Sequence, residues 1–181
     1  MFENFNIEKY KQVHYPSDNS LKTLNEIKKL KKTPLNTIVP KKYDDIFSVF
    51  QNIFSHRPES FPYKIVDKLL SESQSVILKI KNYHNRPRPN VNALNFNMKL
   101  EYLKMDSAQT PAFPSGHSAQ SRLVALALTK LYPNLKNEFN KAAKNISESR
   151  LLARVHYESD KIVGEKLGED LYTHIKHLKY I

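Results

Sequence analysis

The chain has 181 residues, 40% hydrophobic and 26% charged, which suits one domain with one core and predicts a folded protein rather than a disordered chain. It contains no cysteine, so a disulfide framework and a thiolate metal site are excluded as well. The formal net charge of +11 favours an anionic partner: a phosphate ester, nucleic acid or an acidic membrane surface.

The opening residues, Met1 to Asn6, carry no charged segment followed by an apolar core. No run of about 18 apolar residues follows anywhere. The expectation is a soluble protein, cytoplasmic or peripheral to a membrane. Only 3 glycines occur, which argues against a turn-rich β protein and against glycine-rich phosphate loops.

Apolar residues recur at helical spacing instead. Leu21, Leu24, Ile27 and Leu30 predict a short helix capped near Ser20. Pro34 and Pro40 bracket a linker. Ile46, Phe47, Phe50, Ile53 and Phe54 predict a second helix, ending near Arg57-Pro58. Ile65, Leu69, Ser73, Val76 and Ile80 predict a third, stopped by Arg86-Pro87-Arg88-Pro89.

Asn90 to Thr110 is the least periodic stretch and is expected to be a long loop with a short helix around Met98 to Leu103. Ser115 to Tyr132 carries Ala119, Leu123, Val124, Ala127, Leu128 and Leu131 around most of its circumference, the pattern of a central buried helix. Leu135, Phe139, Ala142, Ala143, Ile146, Arg150 and Ala153 form the next face. Val163, Leu167, Leu171, Ile175 and Leu178 form the last. The fold class is therefore all-α, a single-domain bundle of about six helices, with an N-terminal arm over 1–40 and the bundle over 41–181.

Three segments carry chemistry. The first runs from Lys81 to Pro89. The second is Pro114-Ser115-Gly116-His117. The third is Ser149-Arg150, five residues, His156, three residues and Asp160. Ser115 is a favoured N-cap, and the free N–H groups of a helix N-terminus bind anions. Gly116 lets the backbone approach a ligand closely. Lys81, Arg88 and Arg150 can supply fixed cations. Arg150 lies on an inward stripe, where it needs either a bound anion or a carboxylate partner. Asp160, four residues after His156, can accept the Nδ1 proton and leave Nε2 with a free lone pair.

Together and in order, the three segments resemble the signature of the type 2 phosphatidic acid phosphatase superfamily, which includes bacterial acid phosphatases and vanadium haloperoxidases. They span Lys81 to Asp160, about half the chain. The resemblance implies an all-α bundle and a metal-independent phosphatase acting through a phosphohistidine. It implies His156 as nucleophile, Asp160 as its orienter and His117 as general acid. Lys81, Arg88, Ser115, Gly116 and Arg150 would bind phosphate, with no metal and no cofactor. Vanadate would enter only if the chain were a haloperoxidase, and those enzymes tend to be much larger.

Two points stay open at this stage. Lys79 and Arg86 fit the first segment by spacing as well as Lys81 and Arg88 do; the second pair is preferred because relatives often carry an extra Arg two positions before the phosphate-binding one. Many relatives also have Gly where Arg154 stands. A left-handed helix end is costly for Arg, so either the helix ends by another route or Arg154 adds a cation to the pocket rim.

His14-x3-Asp18 is read as a coincidental copy of the third motif, and His174 and His177 as surface residues rather than a metal pair. The implied partner is a phosphorylated small molecule or lipid, with peripheral membrane contact compatible and nucleic acid not favoured. A non-catalytic anion-binding module is the alternative from a different class. Neither the substrate nor the oligomeric state is written in these residues.

Overall fold

The computed structural model describes residues 1–177. Every regular element among them is helical, as the apolar spacing predicts. A single turn, α1 (Glu8–Lys11), precedes α2 (Leu21–Lys32), where the Ser20 hydroxyl accepts a hydrogen bond from the Thr23 amide. The short α3 (Val39–Lys42) leads to α4 (Ile46–Gln51), capped by Asp45 and continued by a 3-10 turn over Asn52–Phe54.

The long α5 (Tyr63–His84) stops where Asn85 turns left-handed, at φ 47°, just before the Pro-rich segment. A one-turn α6 (Pro89–Asn92) and a 3-10 turn over Ala93–Phe96 follow. The bundle is completed by α7 (Gly116–Leu131), α8 (Lys136–Leu152) and α9 (Glu158–His177).

The expected helix over Met98 to Leu103 does not form. Asn97 takes a left-handed φ of 53° and ends the preceding turn, and the Leu103 amide donates instead to the Ala153 carbonyl at 3.0 Å. This pairing holds the segment extended against the end of α8. The loop's regular turns lie elsewhere, over Ala93–Phe96 and Asp106–Ala108.

α7 runs through the middle, with α5, α8 and α9 packed around it. Ala119, Leu123, Val124, Ala127 and Leu128 have no exposed surface, whereas Leu131, at the helix end, is 37% exposed. Burying a Leu or Val side chain of this kind contributes about 1.5–3 kcal/mol each.

Two glycines set the spacing between α7 and α9. A Cβ on Gly164 would sit 2.4 Å from the Ser115 carbonyl oxygen, and one on Gly168 would sit 2.3 Å from that of Ala119. No side chain fits at either point, so α9 lies directly on the backbone of α7. Val163, Leu167, Leu171 and Ile175 lie along α9; Leu178, the last residue of the predicted stripe, is outside the described residues.

The N-terminal segment is packed onto the bundle. Phe2 and Tyr10 belong to the main core. Ile27 and Leu30 of α2 form a second cluster with Ala93, Leu100, Ala112 and Tyr157. Tyr157 follows His156 directly, so α2 supports the backbone beside the third motif. No helix among the described residues is long and apolar enough to cross a membrane.

Candidate active site

The end of α8 decides where His156 points. On a continuous helix, residues 150 and 156 would stand about 120° apart. The helix instead closes with paired hydrogen bonds, Val155 N–H to the Arg150 carbonyl (3.2 Å) and Arg154 N–H to the Leu151 carbonyl (2.9 Å). That is the Schellman arrangement, and it places Arg154 in the left-handed region at φ 58°.

Arg154 thus occupies the conformation that glycine would take freely. Its guanidinium compensates by donating to three carbonyls: Thr33 at 2.7 Å, Glu101 at 3.1 Å and Lys31 at 3.3 Å. Those carbonyls lie at the end of α2 and in the long loop, so its polar contacts tie the chain together behind the site rather than adding to the pocket rim.

Beyond this turn the chain re-enters a helix. The Asp160 carboxylate, in the first turn of α9, accepts from the Tyr157 amide at 3.0 Å and from His156 Nδ1 at 3.1 Å. One short helix start therefore builds the His–Asp pair. His156 is 2% exposed. Its Nε2 lies 3.0 Å from Arg88 Nη1. Burial, then the charges of Arg88, Lys81 and Arg150, hold the His156 imidazole well below its usual pKa, so it is neutral.

The cations come from separate elements. Lys81, on the inner face of α5, is buried and donates to the Pro111 carbonyl. Burial and the adjacent Arg88 bring its amine down to about 7. Arg88 is fixed by the Thr110 carbonyl at 2.9 Å and the Val155 carbonyl at 2.7 Å. Arg150 is fully buried, and its Nε has no hydrogen-bond partner among the described residues.

Ser115 caps α7 and accepts from the Ser118 amide; its own amide donates to the Asp160 carbonyl at 3.0 Å. That bond joins the second and third motifs. A Cβ on Gly116 would face Lys81 Cε at 3.7 Å, an ordinary contact, so no protein atom requires glycine at that point. The room it leaves lies toward the lysine. Lys81, Gly116 and His117 line one cavity of about 220 Å³, whose wall also includes Ile77, Ser107 and Gln120.

Arg86 and Lys79 are placed differently. Lys79 is exposed on α5. Arg86 is fully buried behind the His–Asp pair, donating to Asp160 Oδ1 at 2.6 Å and to Glu26 at 3.3 Å. Its guanidinium carbon lies 3.7 Å from the Tyr157 ring centre and 4.6 Å from that of Tyr15. Of the two candidate arginines, it is Arg88 that contacts His156, and Lys81 is the buried lysine whose charge lowers the imidazole's pKa.

Three contributions were not foreseen from the sequence. Asp44 accepts from Arg150 Nη1 at 2.7 Å, with its carboxylate 3.2 Å from His117 Nε2. Glu26 of α2 accepts from the Ser159 amide at 2.8 Å and reaches Arg86. Ser107 accepts from Arg150 Nη2 at 3.0 Å. Asp44 and Glu26 precede all three motifs, and nothing in their local pattern marks them. Arg150 is thus paired with a carboxylate while sharing the site with the other cations.

His174 is half-buried: its ring packs against Phe2 and Phe5, with centroids 6.3 and 5.6 Å away. The side chain of His177 lies outside the described residues. Among the described residues, no group of three or more His, Asp and Glu is placed to hold a metal ion. His14 is exposed and Asp18 half-buried in the N-terminal segment, away from the three motifs in sequence.

A family model of the PAP2 superfamily matches residues 68–175, more than half of the chain. The chain belongs to the PAP2 superfamily. A non-specific acid phosphatase of Salmonella typhi is 31% identical over 91 residues, covering 49% of this chain and 35% of the relative. The chain therefore spans about a third of the length of that relative.

Two solved structures share the fold. One, described as a transmembrane PAP2 type phosphatidylglycerolphosphate phosphatase from Bacillus subtilis, superposes with a TM-score of 0.59 at 17% identity, over 89% of this chain and 88% of that one. The other, a bacterial vanadium-dependent iodoperoxidase, gives 0.72 at 17% identity, over 91% and 51%. Both share the helical bundle of this chain.

Proposed function

We propose that this PAP2 superfamily member is a metal-independent phosphatase that transfers the phosphoryl group of a phosphate ester to His156 Nε2 and then to water. The observation that carries the reading is the state of His156. Arg88 has donors only, so the Nε2 that faces it must present a lone pair. Asp160 takes the other nitrogen's proton. A buried, neutral imidazole with its lone pair turned toward Arg88, with Lys81 and Arg150 close enough to depress its basicity, suits nucleophilic attack on an anionic phosphorus centre.

The equatorial oxygens of the phosphate would take hydrogen bonds from Lys81, Arg88, the Nε of Arg150, which has no partner among the described residues, and the amide groups at the start of α7. These donors stabilise the charge of the transition state before reaction begins. His156 Nε2 attacks phosphorus as the ester P–O bond breaks, and the departing oxygen takes a proton from His117. Water then attacks phosphorus, gives its proton to His117, and the N–P bond breaks. General acid–base help of this kind typically contributes about 10²–10⁴ in rate.

The same donors would hold vanadate, which adopts the five-coordinate geometry of phosphoryl transfer. Turnover of p-nitrophenyl phosphate in EDTA tests the reading. Wild-type protein is expected to turn over, to be blocked by orthovanadate, and to lose activity as His156→Ala. Activity lost in EDTA and restored by a divalent metal would overturn it, as would halide oxidation with peroxide and vanadate in place of ester hydrolysis.

A further inference from the structure

Asp44 closes over the site from the turn before α4. Its carbonyl oxygen lies 2.9 Å from His117 Nε2, and its carboxylate Oδ1 lies 3.2 Å from the same nitrogen. That Oδ1 also accepts from Arg150 Nη1 at 2.7 Å and from Ser107 Oγ at 2.6 Å. Two oxygen acceptors facing Nε2 require a proton on that nitrogen. Nδ1 is then the nitrogen left for the cavity that the ring lines, and it has no hydrogen-bond partner among the described residues.

The arrangement mirrors His156. There Nδ1 faces a carboxylate and Nε2 faces Arg88; at His117 it is Nε2 that faces the carboxylate. The residue responsible lies outside residues 68–175, the part matched by the family model.

We propose that Asp44 is a positioning residue of this PAP2 protein: it pairs with His117 to turn Nδ1 toward the departing oxygen, and its negative charge keeps the imidazole able to carry the proton it donates. The inference rests on the phosphohistidine reading. In the first step the Nδ1 proton moves to the leaving oxygen as the P–O bond breaks. In the second, the attacking water's proton returns to Nδ1 as the N–P bond breaks. The Nε2 proton stays on the Asp44 side throughout.

The charges around His117 make the point quantitative in direction. Arg150 on α8 opposes its protonation. Asp44 favours it, and Asp45, Asp67 and Asp106 stand around the cavities that the ring lines. Burial is the largest influence and pushes the imidazole down, with Arg150 adding to it; Asp44 acts against both. Although partial burial favours the neutral acid, the hydrogen bonds from His117 and Ser107 and the charge of Arg150 hold the Asp44 carboxyl well below the usual range. It therefore stays ionised while His117 titrates.

The test is Asp44→Asn, which keeps an acceptor oxygen for Nε2 and Arg150 but removes the charge. The His117 ring signal is followed by NMR against pH in both proteins, assigned by its loss in His117→Gln, beside the pH profile of kcat on p-nitrophenyl phosphate. The expected result is a His117 titration moved to lower pH in Asp44→Asn, by about one unit or more, with the alkaline limb of kcat moving the same way and KM little changed. Turnover at neutral pH then falls about tenfold. Asp44→Glu should restore part of the limb.

An unmoved titration, in a variant whose melting temperature matches wild type, would overturn the inference while leaving the phosphohistidine reading intact. A moved titration with an unmoved kcat limb would overturn the role in proton transfer. A wild-type protein without turnover would overturn the reading beneath it, and the NMR titration would still report whether Asp44 and His117 are coupled.

Discussion

Arg88 Nη1 lies 3.0 Å from His156 Nε2, a donor that cannot accept facing a nitrogen that must therefore accept. With Asp160 on Nδ1, the tautomer of His156 is fixed from both sides. On the phosphohistidine reading, a bound phosphate would compete for the Arg88 guanidinium and present its phosphorus to the lone pair so released.

Behind that pair, Arg86 is a fully buried cation shared between Asp160 and Glu26. Removing it leaves the buried Asp160 beside a neutral histidine, without its guanidinium partner. Arg86→Met is expected to destabilise the fold by about 3–5 kcal/mol, read by urea unfolding. Glu26→Gln should cost less, because Asp160 keeps its bond to Arg86 and Ser159 keeps an amide oxygen as acceptor. Equal losses from the two variants would contradict the ordering.

Lys81 gives a pH dependence with a definite sign. Burial and the charge of Arg88 lower its amine to about 7 in the free protein. A bound oxyanion stabilises the ammonium and raises that value again. Binding is therefore strongest below pH 7 and weakens as pH rises through and above that value, with proton uptake in the weakening range. Tungstate, a dianion throughout this range, separates the lysine from the titration of phosphate itself. Its Kd should rise with pH above about 7, and Lys81→Met should bind more weakly and lose that dependence.

Arg154 sets conformational strain against hydrogen bonding. A left-handed backbone costs a non-glycine residue about 1–2 kcal/mol. Its three carbonyl partners offset this, since hydrogen bonds to a charged group contribute about 1.5–3 kcal/mol each in favourable cases. Arg154→Gly should therefore lower stability, by about 1–3 kcal/mol, despite relieving the backbone. A melting temperature above wild type would show that strain dominates.

Much of this was legible in the chain. The central helix follows from apolar residues on all sides of 119–128, and the motifs include Arg88 and Asp160, the two residues that contact the His156 ring. What the motifs could not carry was support arriving from elsewhere in sequence. Glu26 and Asp44 have no local pattern because their partners lie 60 or more positions away, and only folding brings Arg86, Arg150 and His117 to them. The Arg154 turn was misjudged for a related reason: the cost of its backbone is local, while the carbonyls that offset it belong to α2 and the 93–112 loop. The helix expected over Met98 to Leu103 fails likewise, displaced by a backbone bond to Ala153.

The most direct test of the phosphohistidine is to trap it. Protein turning over p-nitrophenyl phosphate is quenched in alkali, where phosphohistidine survives, and its peptides are analysed by mass spectrometry. The prediction is a phosphoryl group on the peptide carrying His156, lost on mild acid treatment and absent from His156→Ala. A phosphoryl group on another side chain, or full turnover by His156→Ala, would contradict the account.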